Sequence, residues 1–400
     1  MTAVEPYTRA GHLPETEPQA GPGPVPTGVA TGEILVPTIG VEEEFLLVDS
    51  RSRAPVARAA QVIETAERVL GDQVQAEFYR AQVEVCTRPT ASCGDLRGQL
   101  AGLRAMAGRA AREADCLLVA SGTAVVPPQQ PLPVTDTSRY RRMAALCGAL
   151  VDGSAGVTCG CHVHIGTADR AEALLLANHL RPWLPTLQAL MTNSPFSCGR
   201  DTGYASWRSV QFGRWPTAEP PPLLDLAGYE ESAETLVTSG ILLDRRMIYW
   251  FARPSEHVPT LEVRVADVAA DLDTTLLYAA LVRGLAATLL AEARRPGARP
   301  PDVPVTRLHA AHWHAARYGT AGPFLDPLTG RHVPVHELMN ALLERATPGL
   351  RAAGDLELVR RLFARRCRLG SGADHQRAVY RRRGGLRDVV DNLAEVTAAA

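Results

Sequence analysis

Hydrophobic positions show no period over residues 1 to about 33, where Pro, Gly, Thr and Glu dominate and Pro22-Gly23-Pro24-Val25-Pro26 is typical. Such a segment cannot bury enough apolar surface to offset its chain entropy, so a disordered extension is expected there. From residue 34 to 400 a single catalytic domain is expected. Ile39–Asp49 reads as a strand, with Phe45, Leu46, Leu47 and Val48 supplying its apolar content. Residues 58–70 and 94–119 carry helical spacing, the second placing Leu96, Leu100, Leu103, Met106 and Ala110 on one face. Between them, 74–78 and 81–87 read as short strands. Residues 138–151 and 170–193 are again helical, with a strand over 158–166 between them. An alternating strand over 261–268 precedes a long helix from Thr274 to about Ala293, and 305–395 reads as largely helical. Pro-rich breaks fall at 216–222 and 295–304. Strands scattered among helices without regular βαβ alternation predict an α+β domain with an antiparallel sheet.

Composition narrows the function. The chain is 46% hydrophobic and 21% charged with a formal net charge of -1, so neither nucleic acid nor an anionic membrane is expected as a partner. No run approaches the ~18 apolar residues of a membrane span, and no basic-then-apolar leader opens the sequence, which points to a cytoplasmic protein. Eight cysteines are scattered through 400 residues, a density too low for a disulfide scaffold. The sequence contains no lysine, so all 42 basic residues are arginine. A Walker A lysine and a Schiff-base lysine are thereby excluded. Phosphate, if bound, is held by arginine forks, backbone N–H groups or a metal.

Four segments concentrate titratable side chains. In Gly40-Val41-Glu42-Glu43-Glu44-Phe45, strand alternation projects Glu42 and Glu44 from one face, roughly 6.5–7 Å apart along the backbone, and Glu43 from the other. Two adjacent carboxylates repel unless a cation lies between them. Glu77 and Glu84 share a face only if the chain turns near Tyr79-Arg80, which would set Glu77 opposite Gln82. His162 and His164 share a strand face in Thr158-Cys159-Gly160-Cys161-His162-Val163-His164. A zinc site with Cys159 and Cys161 is disfavoured, because alternation turns those cysteines away and paired zinc ligands are usually spaced more widely. Glu262 and Arg264 alternate against Leu261, Val263 and Val265; on their own they read equally well as a salt-bridged strand surface. An arginine-dense loop containing Arg200, Tyr204 and Arg208 has the Gly, Ser and Thr content of an anion-binding segment. Several strands sending carboxylates to one face specify a hard cation, Mg2+ or Mn2+ rather than Zn2+.

Taken together, these segments resemble the glutamate–cysteine ligase type 2 family, which includes bacterial carboxylate–amine ligases. The resemblance spans about residues 36–395. It rests on the 40–45 motif, Glu77 through Glu84-Val85-Cys86-Thr87, Arg139-Tyr140, the 159–164 motif, Asn193-Ser194-Pro195-Phe196, Gly199 through Tyr204, Glu262-Val263-Arg264 and Gly370 through Arg377. It implies a glutamine-synthetase-like fold, a curved antiparallel sheet flanked by helices. It also implies Mg2+ (or Mn2+) and ATP, with a glutamate-like carboxylate and a cysteine-like amine joined through an acyl phosphate. Carried over position by position, Glu42, Glu44, Glu77, Glu84, His162 and Glu262 would be metal ligands. Arg264 and His162 would be catalytic, Arg264 holding the transferred phosphoryl. Arg139, His164, Arg200, Tyr204, Arg208 and Arg264 would contact ATP or substrate. A homodimer is one expected assembly. The sequence departs from the family pattern at Cys161, Cys198, Glu219, His312 and His314, which puts the acceptor pocket in question. A specialised amide ligase with another amine or carboxylate, a metal-dependent hydrolase and a non-catalytic binding protein remain as alternatives.

Overall fold

The computed structural model describes residues 34–151 and 156–399; the extension expected over 1–33 lies outside them. The main sheet is organised by β1 (Ile39–Asp49), which is followed in the chain by β2 (Val74–Ala76), β3 (Gln82–Cys86), β4 (Cys116–Val119) and β5 (Gly160–Gly166). A short separate ribbon is formed by β6 (Phe196–Ser197) and β7 (Arg200–Asp201), and the sheet is completed by β8 (Ala252–Pro254) and β9 (Thr260–Asp267). Its order is β2-β3-β1-β5-β9-β8, with β4 also paired to β1, and every pairing is antiparallel. β1 serves both of its edges: Glu42 pairs with Cys86 of β3 on one side and with His162 of β5 on the other. Further along, Leu46 pairs with Gln82 and with Val119 of β4. Most of its backbone donors and acceptors are therefore consumed within the sheet, while the N–H groups of Ile39, Val41 and Asp49 donate to Thr90 O, Thr87 Oγ1 and Ala54 O outside it.

Alternation then sorts the side chains. Ile39, Val41, Val163, Ile165, Leu261 and Val263 join one buried apolar cluster with residues of the helix Leu272–Ala293. That helix is apolar on nearly all sides, as a helix enclosed in a core must be. It is long and apolar enough to cross a membrane, contrary to the expectation that no run comes near this. In the fold 89% of its most apolar window is buried against the rest of the protein. Glu43 points to this same side and is fully buried against Arg104 of the helix Cys93–Glu113.

The α+β reading and the antiparallel sheet stand, while some boundaries move. The helix expected over 94–119 ends at Glu113, because Asp115 turns the chain with a φ of 54°. The apolar run Cys116-Leu117-Leu118-Val119 becomes β4, a case where periodicity alone does not separate a short strand from a helix end. The 170–193 segment divides into Arg170–Leu180 and Leu184–Leu190. Unforeseen elements are β8, the helices Trp207–Phe212 and Leu226–Thr238, and a hairpin of β10 (Pro323–Leu325) with β11 (His332–Pro334). The eight cysteines are all thiols; Cys159 and Cys161 are buried in two different apolar clusters.

Candidate active site

Register sets three rows of side chains across the sheet face opposite Glu43. Gln75, Glu84 and Glu44 align across β2, β3 and β1. Cys86, Glu42 and His162 align across β3, β1 and β5. His164, Glu262 and Arg253 align across β5, β9 and β8. Directly opposed residues stand close enough for their side chains to interact, so three rows from six strands make one continuous charged surface. Apart from Cys86, its side chains floor a cavity of about 340 Å³ that also reaches Glu77, Arg139, Tyr140, Arg208, Tyr249 and Arg264. The β5–β9 pairing shifts register between Cys161 and Val163, an irregularity of the kind that re-aims a side chain, here at His162.

His162 sits among three carboxylates. Its Nδ1 is 3.2 Å from Glu42 Oε2 and 3.7 Å from Glu262 Oε1, while Nε2 is 3.7 Å from Glu44 Oε1. The ring is buried, and Nε2 has no hydrogen-bond partner. His164 Nδ1 lies 2.8 Å from Thr260 Oγ1, and its Nε2 is 3.1 Å from Glu42 Oε1. Glu44 Oε2 accepts the Gly160 N–H at 2.6 Å. Glu262 is gripped from both sides: Arg253 Nε donates to Oε2 at 3.0 Å, and Arg264 Nη1 donates to Oε1. Glu77, contributed by the turn after β2, accepts the Phe78 N–H at 2.6 Å and the Tyr140 hydroxyl at 3.2 Å through Oε2. Gly160 leaves room for Arg208, since a Cβ there would collide with the guanidinium.

These environments divide the acids into two kinds. Burial pushes Glu77 up to about 7, reinforced by the charge of Glu44. Burial raises Glu84 well above the usual carboxylate range, with Glu42, Glu77 and Glu44 adding repulsion. Glu42 and Glu262 experience the same desolvation but end up below the ordinary range. His164 and His162 outweigh it at Glu42; Arg253, Arg264 and His164 outweigh it at Glu262. His162 is held down by burial and by Arg264. Like-charged acids confined together, beside an imidazole nitrogen with no partner, form a surface short of positive charge. Ligand atoms of Glu42, His162 and Glu262 lie within 4.8 Å of one another, as do those of Glu44, Glu84 and His162. This oxygen-rich donor set fits a hard divalent cation.

The chain belongs to glutamate–cysteine ligase family 2. The model of that family matches residues 38–392. Among its relatives, a Mycobacterium sp. (strain KMS) protein provisionally named glutamate–cysteine ligase 2-2 is 45% identical over 369 residues, covering 91% of this chain and 99% of that one. A Saccharopolyspora erythraea protein with the provisional name glutamate–cysteine ligase 2-1 is 45% identical over 358 residues, covering 89% and 93%. Family membership makes the chain an ATP-dependent carbon–nitrogen ligase. The fold is shared with the Francisella tularensis glutamate–cysteine ligase solved with AMP, at a TM-score of 0.68 and 13% identity over 92% of this chain and 90% of that one. A bifunctional glutathione synthetase from Pasteurella multocida gives 0.66 at 15% identity over 91% of this chain; this chain spans about half (52%) of that protein.

Ten of the twelve residues singled out from sequence line the cavity: Glu42, Glu44, Glu77, Glu84, Arg139, His162, His164, Arg208, Glu262 and Arg264. Arg200 and Tyr204 do not. Arg200 is exposed on the β6–β7 ribbon, and Tyr204 packs against Trp207 and beneath Arg317. Their loop is clamped instead by Arg377, which pairs with both oxygens of Asp201 at 2.7 and 2.9 Å and donates to the Tyr204 carbonyl. Arg139 reaches the cavity, but its guanidinium already binds Asp244 through two bonds of 2.8 and 3.0 Å. The family departures Cys161, Cys198, Glu219, His312 and His314 do not line the cavity. His312 is buried against Gln188 Oε1 at 2.6 Å and against Phe251. Sequence reasoning passed over Arg253, Tyr249 and Trp215. Arg253 precedes a proline on a three-residue strand, and proline argues against a strand interior.

Proposed function

We propose that this ligase activates a small carboxylate, glutamate's γ-carboxylate being the family's own, as an acyl phosphate made from ATP. An amine, cysteine in the family name, then displaces phosphate to give the amide. The observation that carries this reading is the three-row sheet face, where carboxylates, an imidazole with an unused nitrogen and guanidinium groups converge on one cavity. Glu42, Glu44, Glu77, Glu84, Glu262 and His162 would hold Mg2+ or Mn2+. Bound there, the cation would neutralise phosphate oxygens and help align the transferring group.

The chain's own residues supply the rest. Glu262, itself held by Arg253, holds Arg264 against the sheet, which orients its positive charge for the phosphoryl group as it moves to the substrate carboxylate. His164, tethered to Thr260, fixes the Glu42 side chain. Arg208, with Arg139 at the rim, offers cationic edges to phosphate or to a substrate carboxylate, the role a lysine cannot fill in this chain. The aromatic wall of Phe78, Trp215 and Tyr249, packed edge to face, limits water at the reacting atoms, where a hydrolysed acyl phosphate would waste ATP. A cytoplasmic setting, where thiols stay reduced, suits an enzyme with eight of them.

The decisive measurement is ADP release with Mg2+, glutamate and a panel of amines, together with hydroxylamine capture of the activated carboxylate. ADP formation that requires a carboxylate and rises with the accepted amine is the expected result. Turnover with an amine other than cysteine would assign the specialised-ligase alternative. Ester or amide cleavage without any ATP consumption would instead make the protein a hydrolase and end this reading.

A further inference from the structure

Cys86 stands apart from the other cysteines in its surroundings. Cys93, Cys116, Cys159 and Cys161 are buried in apolar clusters, where a thiol acts as a small hydrophobe. Cys86 is half-buried and set among acids: it faces Glu42 across the β1–β3 ladder and follows Glu84 by two residues on the same strand face. Its Sγ lies 3.5 Å from Glu84 Oε1 and 3.9 Å from Gln75 Nε2. The sulfur and one oxygen each from Glu42 and Glu84 all lie within 4.8 Å of one another. Glu84 also belongs to the neighbouring group with Glu44 and His162, and the buried Nε2 of His162 has no partner there. The acid beside Cys86 is thus already part of a surface that lacks a cation.

Ligand softness separates this corner from the rest of the face. Carboxylate oxygens suit Mg2+ and Mn2+, whereas a thiolate selects Zn2+ and other sulfur-seeking ions. We propose that Glu42, Glu84 and Cys86 form a binding site for a thiophilic divalent cation, Zn2+ in the first instance, distinguished by its sulfur ligand from the histidine-centred clusters beside it. Binding exchanges the thiol proton, released to solvent, for a sulfur–metal bond, and no electron changes hands. Because Glu42 and Glu84 are shared, occupancy by Zn2+ would compete with the Mg2+-holding arrangement. The chain would then discriminate between the two ions through one side chain.

The test reads metal binding and needs no turnover. Full-length protein titrated with Co2+, a spectroscopic substitute for Zn2+, is expected to develop a sulfur-to-cobalt charge-transfer band in the near ultraviolet. Zn2+ should abolish the band at near-stoichiometric concentration, whereas Mg2+, which shares only the two carboxylates, should weaken it only in large excess. Cys86→Ser should lack it, while Cys367→Ser, altered at an exposed thiol, should keep it. Competition against a chromophoric chelator should show Zn2+ affinity falling at least about tenfold in Cys86→Ser. No band in the wild type, a band surviving in Cys86→Ser, or unchanged Zn2+ affinity in that variant would each overturn the proposal. Failure of the ligase reading would appear separately, as missing ADP release, and would leave these spectra unaffected.

Discussion

Arg104→Met should be among the most damaging single substitutions outside the cavity. Arg104 and Glu43 have no solvent-exposed side-chain surface. Arg104 Nε and Nη2 donate to the two Glu43 oxygens at 2.9 and 2.6 Å. Nη1 donates to the Ala270 carbonyl at 3.0 Å, and Nη2 also donates to the Ala269 carbonyl at 2.9 Å and to Thr275 Oγ1 at 3.2 Å. Methionine refills the stem of the arginine, so little cavity is created. What is lost is the countercharge: Glu43 keeps only the Thr275 hydroxyl at 2.7 Å, and two carbonyls lose their donor. Breaking a buried pair by removing one partner typically costs about 3–5 kcal/mol, a large share of the roughly 5–15 kcal/mol that holds a domain folded. Removing both charges, as in Glu43→Leu with Arg104→Met, should recover most of that loss, because well-packed apolar replacements of buried pairs are often neutral. Urea unfolding followed by circular dichroism at pH 7 would measure the wild type, the two single variants and the double. A loss under about 1 kcal/mol for Arg104→Met, or a double variant no more stable than Arg104→Met, would refute the reasoning that β1 is locked by charge.

Glu262→Gln is expected to keep the fold, since Gln preserves the shape of the side chain and its single carbonyl oxygen can still accept from one of the two arginines, Arg253 or Arg264. It should lower ATP-dependent turnover by more than the roughly 10–100-fold that loss of an outer-shell metal partner costs, with unchanged circular dichroism as the control; wild-type turnover would remove Glu262 from the metal set. Arg264→Lys should not restore an Arg264→Ala enzyme, because an ammonium lacks the planar fork that engages Glu262 and phosphate together; recovery of turnover with Lys would show that a point charge suffices. Mn2+ affinity should rise with pH through about 7. Glu77 is protonated below that value in the metal-free protein, so metal must displace its proton at low pH and finds the carboxylate already ionised at high pH. Calorimetry in buffers of different ionisation enthalpy would report that proton release, and pH-independent binding would contradict it.

Much of this site was legible along single strands and little of it between them. Glu42 and Glu44, His162 and His164, and Glu262 and Arg264 each share a face by period-two alternation, a local property. The chain does turn between β2 and β3, and Glu77 and Glu84 line one cavity, although the pairing ends at Ala76 and Val83 and does not set Glu77 opposite Gln82. Nothing local states that Glu42 pairs with His162 or that His164 pairs with Glu262, since those registers depend on partners about 100 residues apart. Arg253 was lost for the same reason, its role arising from its place opposite Glu262. Arg200 and Tyr204 lie outside the cavity lining; arginine, glycine and threonine suit an anion cradle and a clamped turn alike. The outcome was decided by Arg377, more than 170 residues further along the chain.

The absence of lysine gives the site its particular electrostatics. A lysine ammonium can swing to follow a phosphate; a guanidinium must be placed in advance. Arg264 is placed by Glu262, which takes its Nη1 donor, and it stands with its charged end 5.8 Å from the Tyr249 ring centre. Arg208 is placed by the space at Gly160 and stands with its charged end 5.2 Å from the Phe212 ring centre. In both residues Nε is buried and has no hydrogen-bond partner. An unsatisfied buried donor typically costs about 1–3 kcal/mol, and more when it carries charge, so two of them on one cavity wall oppose folding. Such strain is tolerated where an incoming group relieves it. An anionic phosphate is the ligand that satisfies buried guanidinium donors best. The same wall faces carboxylates, so on the function proposed above the cavity suits a metal–phosphate pair rather than either ion alone. That complementarity needs no P-loop, and it follows from arginines fixed by the fold before the nucleotide arrives.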